Sequence, residues 1–265
     1  ALLFRALRWL DLGMLGVILV LVAGEAVVAL IGMVEGPLPP DVSQIPTDTL
    51  LSLGRLALAY VASLSWTILA AAWVVRSKRA SKYVTPVLEV IASVPATALL
   101  PVIIGFAVFA IPGVAGESQL AAFIIALFAM QWYLLFNLIA GMRSIPGDLE
   151  EAAKVFGLRG WAYWKRILLP AVVPSLLTGS ITAWGAGWNS LIVAEYLQFG
   201  STTFQVPGIG YLIYKATWIP LGSATAGSTL LVLSVLSLSA TVLILNKLLW
   251  RPLIRRASER FRYEV

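Results

Sequence analysis

Six stretches of this sequence are apolar and long enough to cross a lipid bilayer, and no other feature restricts the possible fold as strongly. A membrane-spanning helix takes roughly 20 predominantly apolar residues. Such runs lie at about 12–34, 50–75, 84–110, 119–141, 171–197 and 221–247 of the 265 residues. The first run follows Arg5 and Arg8 as in a signal peptide, but it exceeds an h-region of roughly 7–15 residues and reads as a span. Charged residues make up 12% of the chain, against about 25% in soluble domains. No soluble domain of useful size is left over. The expectation is an all-α membrane protein with six transmembrane helices.

Charge sets its orientation. Arg5 and Arg8 precede the first run, and Arg76, Lys78, Arg79 and Lys82 lie around the turn between the second and third. Arg143, Lys154, Arg159, Lys165 and Arg166 fall between the fourth and fifth. Lys247, Arg251, Arg255, Arg256, Arg260 and Arg262 form the tail. Of the 19 basic residues only Arg55 and Lys215 lie elsewhere. The opposite loops carry Glu35, Asp41, Asp48 and Glu117. By the positive-inside rule both termini and the loop after the fourth run are cytoplasmic. The formal charge of +6 then reflects this orientation, and no nucleic-acid partner is expected.

The chain has no Cys and no His. That removes disulfides, thiolate or imidazole metal sites, and any nucleophile that depends on a histidine base. Gly-Lys occurs nowhere, so there is no P-loop. Any ATP this protein uses belongs to another chain.

Several polar groups fall within or near the spans: Glu25, Glu89, Asn137, Asn189 and Glu195. Ionisable groups in lipid face other helices or a wet cavity, and amides there also serve as helix–helix hydrogen bonds. Both readings stay open. Pro86, Pro95 and Pro101 bend or break the third run. The stretch 198–220 is too long for a plain turn, and its amphipathic centre, 209–216, reads as a re-entrant or surface helix on the outer side.

The segment from Glu150 to Pro170, EEAAKVFGLRGWAYWKRILLP, interrupts this apolar pattern. After the Pro146-Gly147 breaker, Asp148 and Glu151 have the spacing of a capping box, which starts a helix near Leu149. Gly157 stops it, and Ala152 with Ala153 give it a small-residue face. Trp161, Trp164 and Ile167 or Leu168 then form the stripe of an interfacial helix. A basic interfacial loop explains the tryptophans and cations. A docking surface explains the capped helix as well.

The spaced pattern Glu151-Ala152-Ala153, three residues, Gly157, nine residues, Ile167-x-Leu169-Pro170 resembles the EAA loop of permease subunits of bacterial ABC importers. From about residue 50 to 260 the layout is similar to the type I importer core of five helices, preceded by one extra helix. SVPATALLPVIIGF, GWNSLIVAEY, GIGYLIYKA and NKLLWRPLIRRASERF resemble the branch that imports nitrate, taurine, sulfonates and bicarbonate. The outer loop around Pro112–Glu117 and TWIP at 217–220 depart from that branch.

The resemblance implies one permease domain over 1–265, in a bacterial plasma (inner) membrane. It comprises an extra helix at about 12–34, a core at about 50–247, a cytoplasmic coupling loop at about 142–170 and a tail at about 248–265. An Ala start suits the second half of a duplicated chain. The implied partners are ABC ATP-binding subunits, a second permease subunit (identical, related or fused), a substrate-binding protein and the bilayer. The chain is not itself catalytic and binds no cofactor; ATP and Mg sit on the partner subunit. Glu150, Glu151, Ala152, Ala153, Gly157, Leu158 and Arg159 would couple to the ATPase, with Arg159 facing acidic groups across the interface. The third and fifth spans would line the substrate path. Trp184, Trp188, Asn189 and Glu195 are path candidates whose alternative role is packing.

Three rivals remain at this stage. A secondary transporter should carry inverted repeats, and no convincing one is present. A membrane-embedded enzyme needs titratable groups clustered at one depth, and the intramembrane acids are few and scattered. A non-transporting scaffold would use the same loop merely to bind a partner.

Overall fold

The computed structural model describes residues 38–111, 113–199, 202–218 and 224–260, with helical positions at 20, 23–24, 26–28 and 30–32. The rest of the expected first span, Glu25 included, lies outside the described residues. The chain is built of helices α1 (Ile45–Arg76), α2 (Lys78–Ala92), α3 (Leu100–Ala110) and α4 (Val114–Arg143). Then follow α5 (Gly147–Val155), α6 (Leu169–Ala194), α7 (Ile209–Trp218), α8 (Ala224–Leu245) and α9 (Arg251–Arg260). A two-stranded antiparallel hairpin, β1 (Tyr196–Phe199) and β2 (Thr202–Gln205), sits between α6 and α7.

Four continuous helical stretches are long and apolar enough to cross a membrane: Pro40–Arg76, Gly116–Arg143, Gly160–Ala194 and Ala226–Ala257. The α2–α3 pair makes a fifth if counted as one span, bent by 84°. The break falls where proline chemistry places it. Pro95 precedes a 3-10 turn at Ala96–Leu99, and Pro101 occupies the first turn of α3, where its missing N–H breaks no helical bond.

Two of the long stretches contain a π-helical turn directly before a proline. Trp164–Leu168 precedes Pro170, and Asn246–Trp250 precedes Pro252. A wider turn re-routes carbonyls that a proline cannot satisfy. The first turn corrects an expectation: Trp161 to Leu168 form no separate interfacial helix but lead continuously into α6.

The core lies among α1, α4 and α6, with α4 against α6 the most extensive pairing. Leu56, Ile125, Met130, Leu134 and Leu191 are fully buried there. Burying an aliphatic side chain gains little over lipid, so dispersion and close approach hold these helices together. The apolar residues left outside, such as Leu58, Leu69 and Val102, are those a bilayer would cover.

Candidate functional site

Three features stand out: the α5 loop, a cavity between α4 and α6, and a buried ion pair at the other end of the bundle.

Helix α5 begins at Gly147, not near Leu149, and no side chain caps it. Asp148 and Glu150 instead lie in its first turn, where the helix dipole favours negative charge. The capping-box reading is thus corrected: Asp148 sits inside the helix, beyond the capping position. The C-terminal reading fares differently. Gly157 adopts φ +66°, donating to the Lys154 carbonyl at 3.0 Å while Leu158 donates to that of Ala153 at 2.8 Å. This paired closure is a Schellman motif, and its left-handed residue is why glycine stands there.

The two alanines do not share a face. Adjacent helical residues are about 100° apart; Ala153 is buried against the protein, whereas Ala152 and Glu151 are exposed. Beside them project Val155 and Phe156, 83% and 79% exposed. These two apolar side chains were missed in the sequence, where the only signal was their position just before the glycine stop. Glu150 and Arg159 line a cleft that α5 shares with Arg76 at the end of α1.

The cavity has a volume of about 550 Å³, within the range of small-molecule sites, roughly 300–1,000 Å³. Trp132, Tyr133 and Asn137 of α4 face Asn189 and Ser190 of α6, and the α2–α3 break at Val94–Thr97 closes one side. Among the described residues no Asp, Glu, Lys or Arg lines it. The Trp132 Nε1–H is buried without a hydrogen-bond partner.

Of the four path candidates on α6, only Asn189 lines this cavity. Trp184 and Trp188 turn the other way into the core, where the Trp184 ring lies 5.8 Å from Tyr60 and 6.0 Å from Trp250. Two indoles one turn apart share a face, and Asn189 is rotated off it by about 100°.

Glu195 is fully buried and belongs to the third feature. Its Oε1 accepts from Ser52 Oγ at 2.6 Å and from Arg55 Nη1 at 2.5 Å. Its Oε2 accepts from the Gly210 amide at 2.7 Å. The rest of the Arg55 fork reaches Gln119 Oε1, at 3.1 and 3.0 Å, and the Pro207 carbonyl at 3.3 Å. A buried charge survives only when paired and hydrogen-bonded, and both conditions hold here. A Cβ on Gly208 would collide with the Glu195 carboxylate, which is why the backbone passes at a glycine. The network ties α1, α4 and the end of α6 to the start of α7. It also occupies Arg55, so that guanidinium is no free counter-ion.

The family model for the inner membrane component of binding-protein-dependent transport systems matches residues 63–254. The chain belongs to that family. Its α5 loop and α4–α6 cavity both lie inside the matched region. A nitrate import permease protein NrtB from Leptolyngbya laminosa is 34% identical over 131 residues, 49% of this chain and 42% of that one. NrtB from Synechococcus elongatus is 30% identical over 167 residues, 63% of this chain and 55% of the relative. A bicarbonate transport system permease protein, CmpB from Synechocystis, is 29% identical over 169 residues, 64% and 56% of the two chains. The chain thus aligns to about half the length of these curated relatives. The resemblance to the nitrate and bicarbonate branch of ABC importer permeases stands, as does the reading of a transport-system component.

Proposed function

We propose that the chain is the permease subunit of an ATP-driven importer in a bacterial inner membrane. It passes a small anion from an external binding protein to the cytoplasm by alternating access. The observation that carries this reading is the loop from Gly147 to Arg159. A glycine-capped helix there presents Glu151, Ala152, Val155 and Phe156 to a partner, in a chain with no P-loop of its own. An apolar tip exposed at the basic end of a membrane protein fits a protein interface. The partner is an ATP-binding subunit, whose closure moves α5 as a lever. Such coupling requires contacts that differ between the inward- and outward-open states.

The bound species is proposed to be a nitrate- or bicarbonate-like oxyanion, after the names of the relatives. The α4–α6 cavity supports this with neutral polar side chains along its wall, Asn189 and Ser190. Neutral dipoles bind an anion reversibly, and weak enough binding lets the ion leave. Both termini are assigned to the cytoplasm, and a second permease subunit completes the path.

The test is uptake of labelled nitrate or bicarbonate in a strain lacking this gene, with and without its restoration. ATP-dependent uptake that returns with the gene supports the reading. Unchanged uptake of every tested anion favours the scaffold, and uptake driven by an ion gradient without ATP favours a secondary transporter.

A further inference from the structure

Between α5 and the end of α1 lies a cleft of about 380 Å³. Arg76 from the end of α1, Lys154 from α5 and Arg159 from just beyond it line the cleft, with Glu150 and Tyr163. Three cations against one carboxylate leave an excess of two positive charges. Among the described residues, Lys154 and Arg159 make no ion pair and no side-chain hydrogen bond. The mechanism proposed above uses neither Lys154 nor Arg76.

A second groove, of about 360 Å³, begins at the same arginine and runs along the outside of α1. Leu69, Ala72, Trp73 and Trp164 line it. Leu69 lies two turns, roughly 10 Å, deeper along the helix than Arg76. Leu69 and Trp73 are largely exposed, as lipid-facing residues are. Arg76 is fixed at the junction, its guanidinium 5.4 Å above the Trp164 ring. The basic cleft alone would suit any phosphate, and the apolar groove alone would suit any acyl chain. Joined at one arginine, at the level where tryptophans sit at a bilayer surface, they match a molecule that carries both.

We infer that the two clefts together hold one anionic phospholipid of the cytoplasmic leaflet. Its phosphate sits among Arg76, Lys154 and Arg159, and the upper part of an acyl chain lies along Leu69, Trp73 and Trp164. Basic pockets beside transmembrane helices on the cytoplasmic side select anionic headgroups. A zwitterionic headgroup would bring its ammonium against the same cations. The lipid braces α5 against the end of α1, so leaflet composition bears directly on the loop that faces the partner. This inference rests on the cytoplasmic assignment of that loop but not on what is transported.

The test uses the purified, delipidated transporter complex in detergent. It is titrated separately with phosphatidylglycerol, phosphatidylcholine and inorganic phosphate, with bound lipid read by native mass spectrometry. Phosphatidylglycerol should bind in preference to phosphatidylcholine, and millimolar phosphate should not displace it. The Lys154→Gln, Arg159→Gln double variant should bind it roughly thirtyfold more weakly, the loss expected for two interfacial charges. Leu69→Trp fills the groove without altering charge and should also weaken binding, which keeps the test decisive if the double variant misfolds. Equal binding of phosphatidylcholine would overturn the proposal. So would displacement by phosphate alone, or retention of phosphatidylglycerol by Leu69→Trp at wild-type affinity. Failure of uptake with lipid binding intact would refute the transport reading and leave this one standing.

Discussion

Replacing Glu195 by Leu should destabilise the protein far more than its single position suggests. Among the described residues the Glu195 carboxylate makes the only direct ion pair to Arg55, and the two side chains are 0% and 7% exposed. Removing it leaves the largely buried guanidinium with two neutral acceptors, Gln119 and the Pro207 carbonyl, and the more distant charge of Asp48. It also strips an acceptor from Ser52 and from the Gly210 amide. Breaking a buried pair in this way costs about 3–5 kcal/mol. For a chain of this size that corresponds to roughly 10 °C in melting temperature. The double variant Arg55→Leu, Glu195→Leu removes both charges, and a buried pair replaced by apolar residues is often neutral in stability. It should therefore melt above the single variant. The assay is thermal melting of the purified protein in detergent, followed by the fraction that stays monodisperse. A Glu195→Leu protein that melts within about 2 °C of wild type would refute the reasoning, as would a double variant that melts below the single one.

Other expectations follow from neighbouring geometry. Gly208→Ala drives a methyl group into the Glu195 carboxylate and should lower stability by roughly 1–3 kcal/mol, read in the same melt. Lys215→Met breaks the part-buried 2.7 Å pair with Asp41 and should cost about 1–3 kcal/mol; no measurable loss would show that this pair does not anchor α7. Asn189→Leu removes a neutral polar group from the cavity wall and should raise the uptake KM severalfold while leaving protein stability unchanged. Equal stability with an unaltered KM would remove Asn189 from the path. Gly157→Val forces a branched residue to φ +66°, at a cost of about 1–3 kcal/mol. It should fray the end of α5, seen as faster amide exchange at Phe156 and Leu158.

The parts of the fold readable in the sequence are those that depend on local physics. Long apolar runs require helices, because a bilayer leaves the backbone no other partner, and the runs from 50–75, 119–141 and 171–197 reappear as α1, α4 and α6. Of the three prolines expected to bend or break the third run, Pro95 and Pro101 flank the α2–α3 break while Pro86 lies inside helix α2, and Gly157 marked a turn only glycine makes easily. What lay hidden depends on partners distant in the chain. Glu195 and Arg55 were each visible as unusual charges, yet 140 residues separate them, and no local pattern encodes their pairing. Trp184, Trp188 and Asn189 are near neighbours in sequence, but which of them meets the cavity depends on how α6 is rotated against α1 and α4. The same limit applied to Ala152 and Ala153: spacing placed both on α5, while only packing against the bundle decided which one faces out.

The central claim, that the α5 loop couples this chain to an ATP-binding subunit, is tested most directly by gentle purification from the native membrane. The wild type is compared with a Glu151→Lys, Gly157→Trp variant, which alters the exposed face and the cap of α5 but leaves the spans intact. The account predicts that an ATP-binding subunit co-purifies with the wild type and is lost from a variant of unchanged folding. Equal retention by both proteins, or no ATP-binding subunit with either, would contradict it.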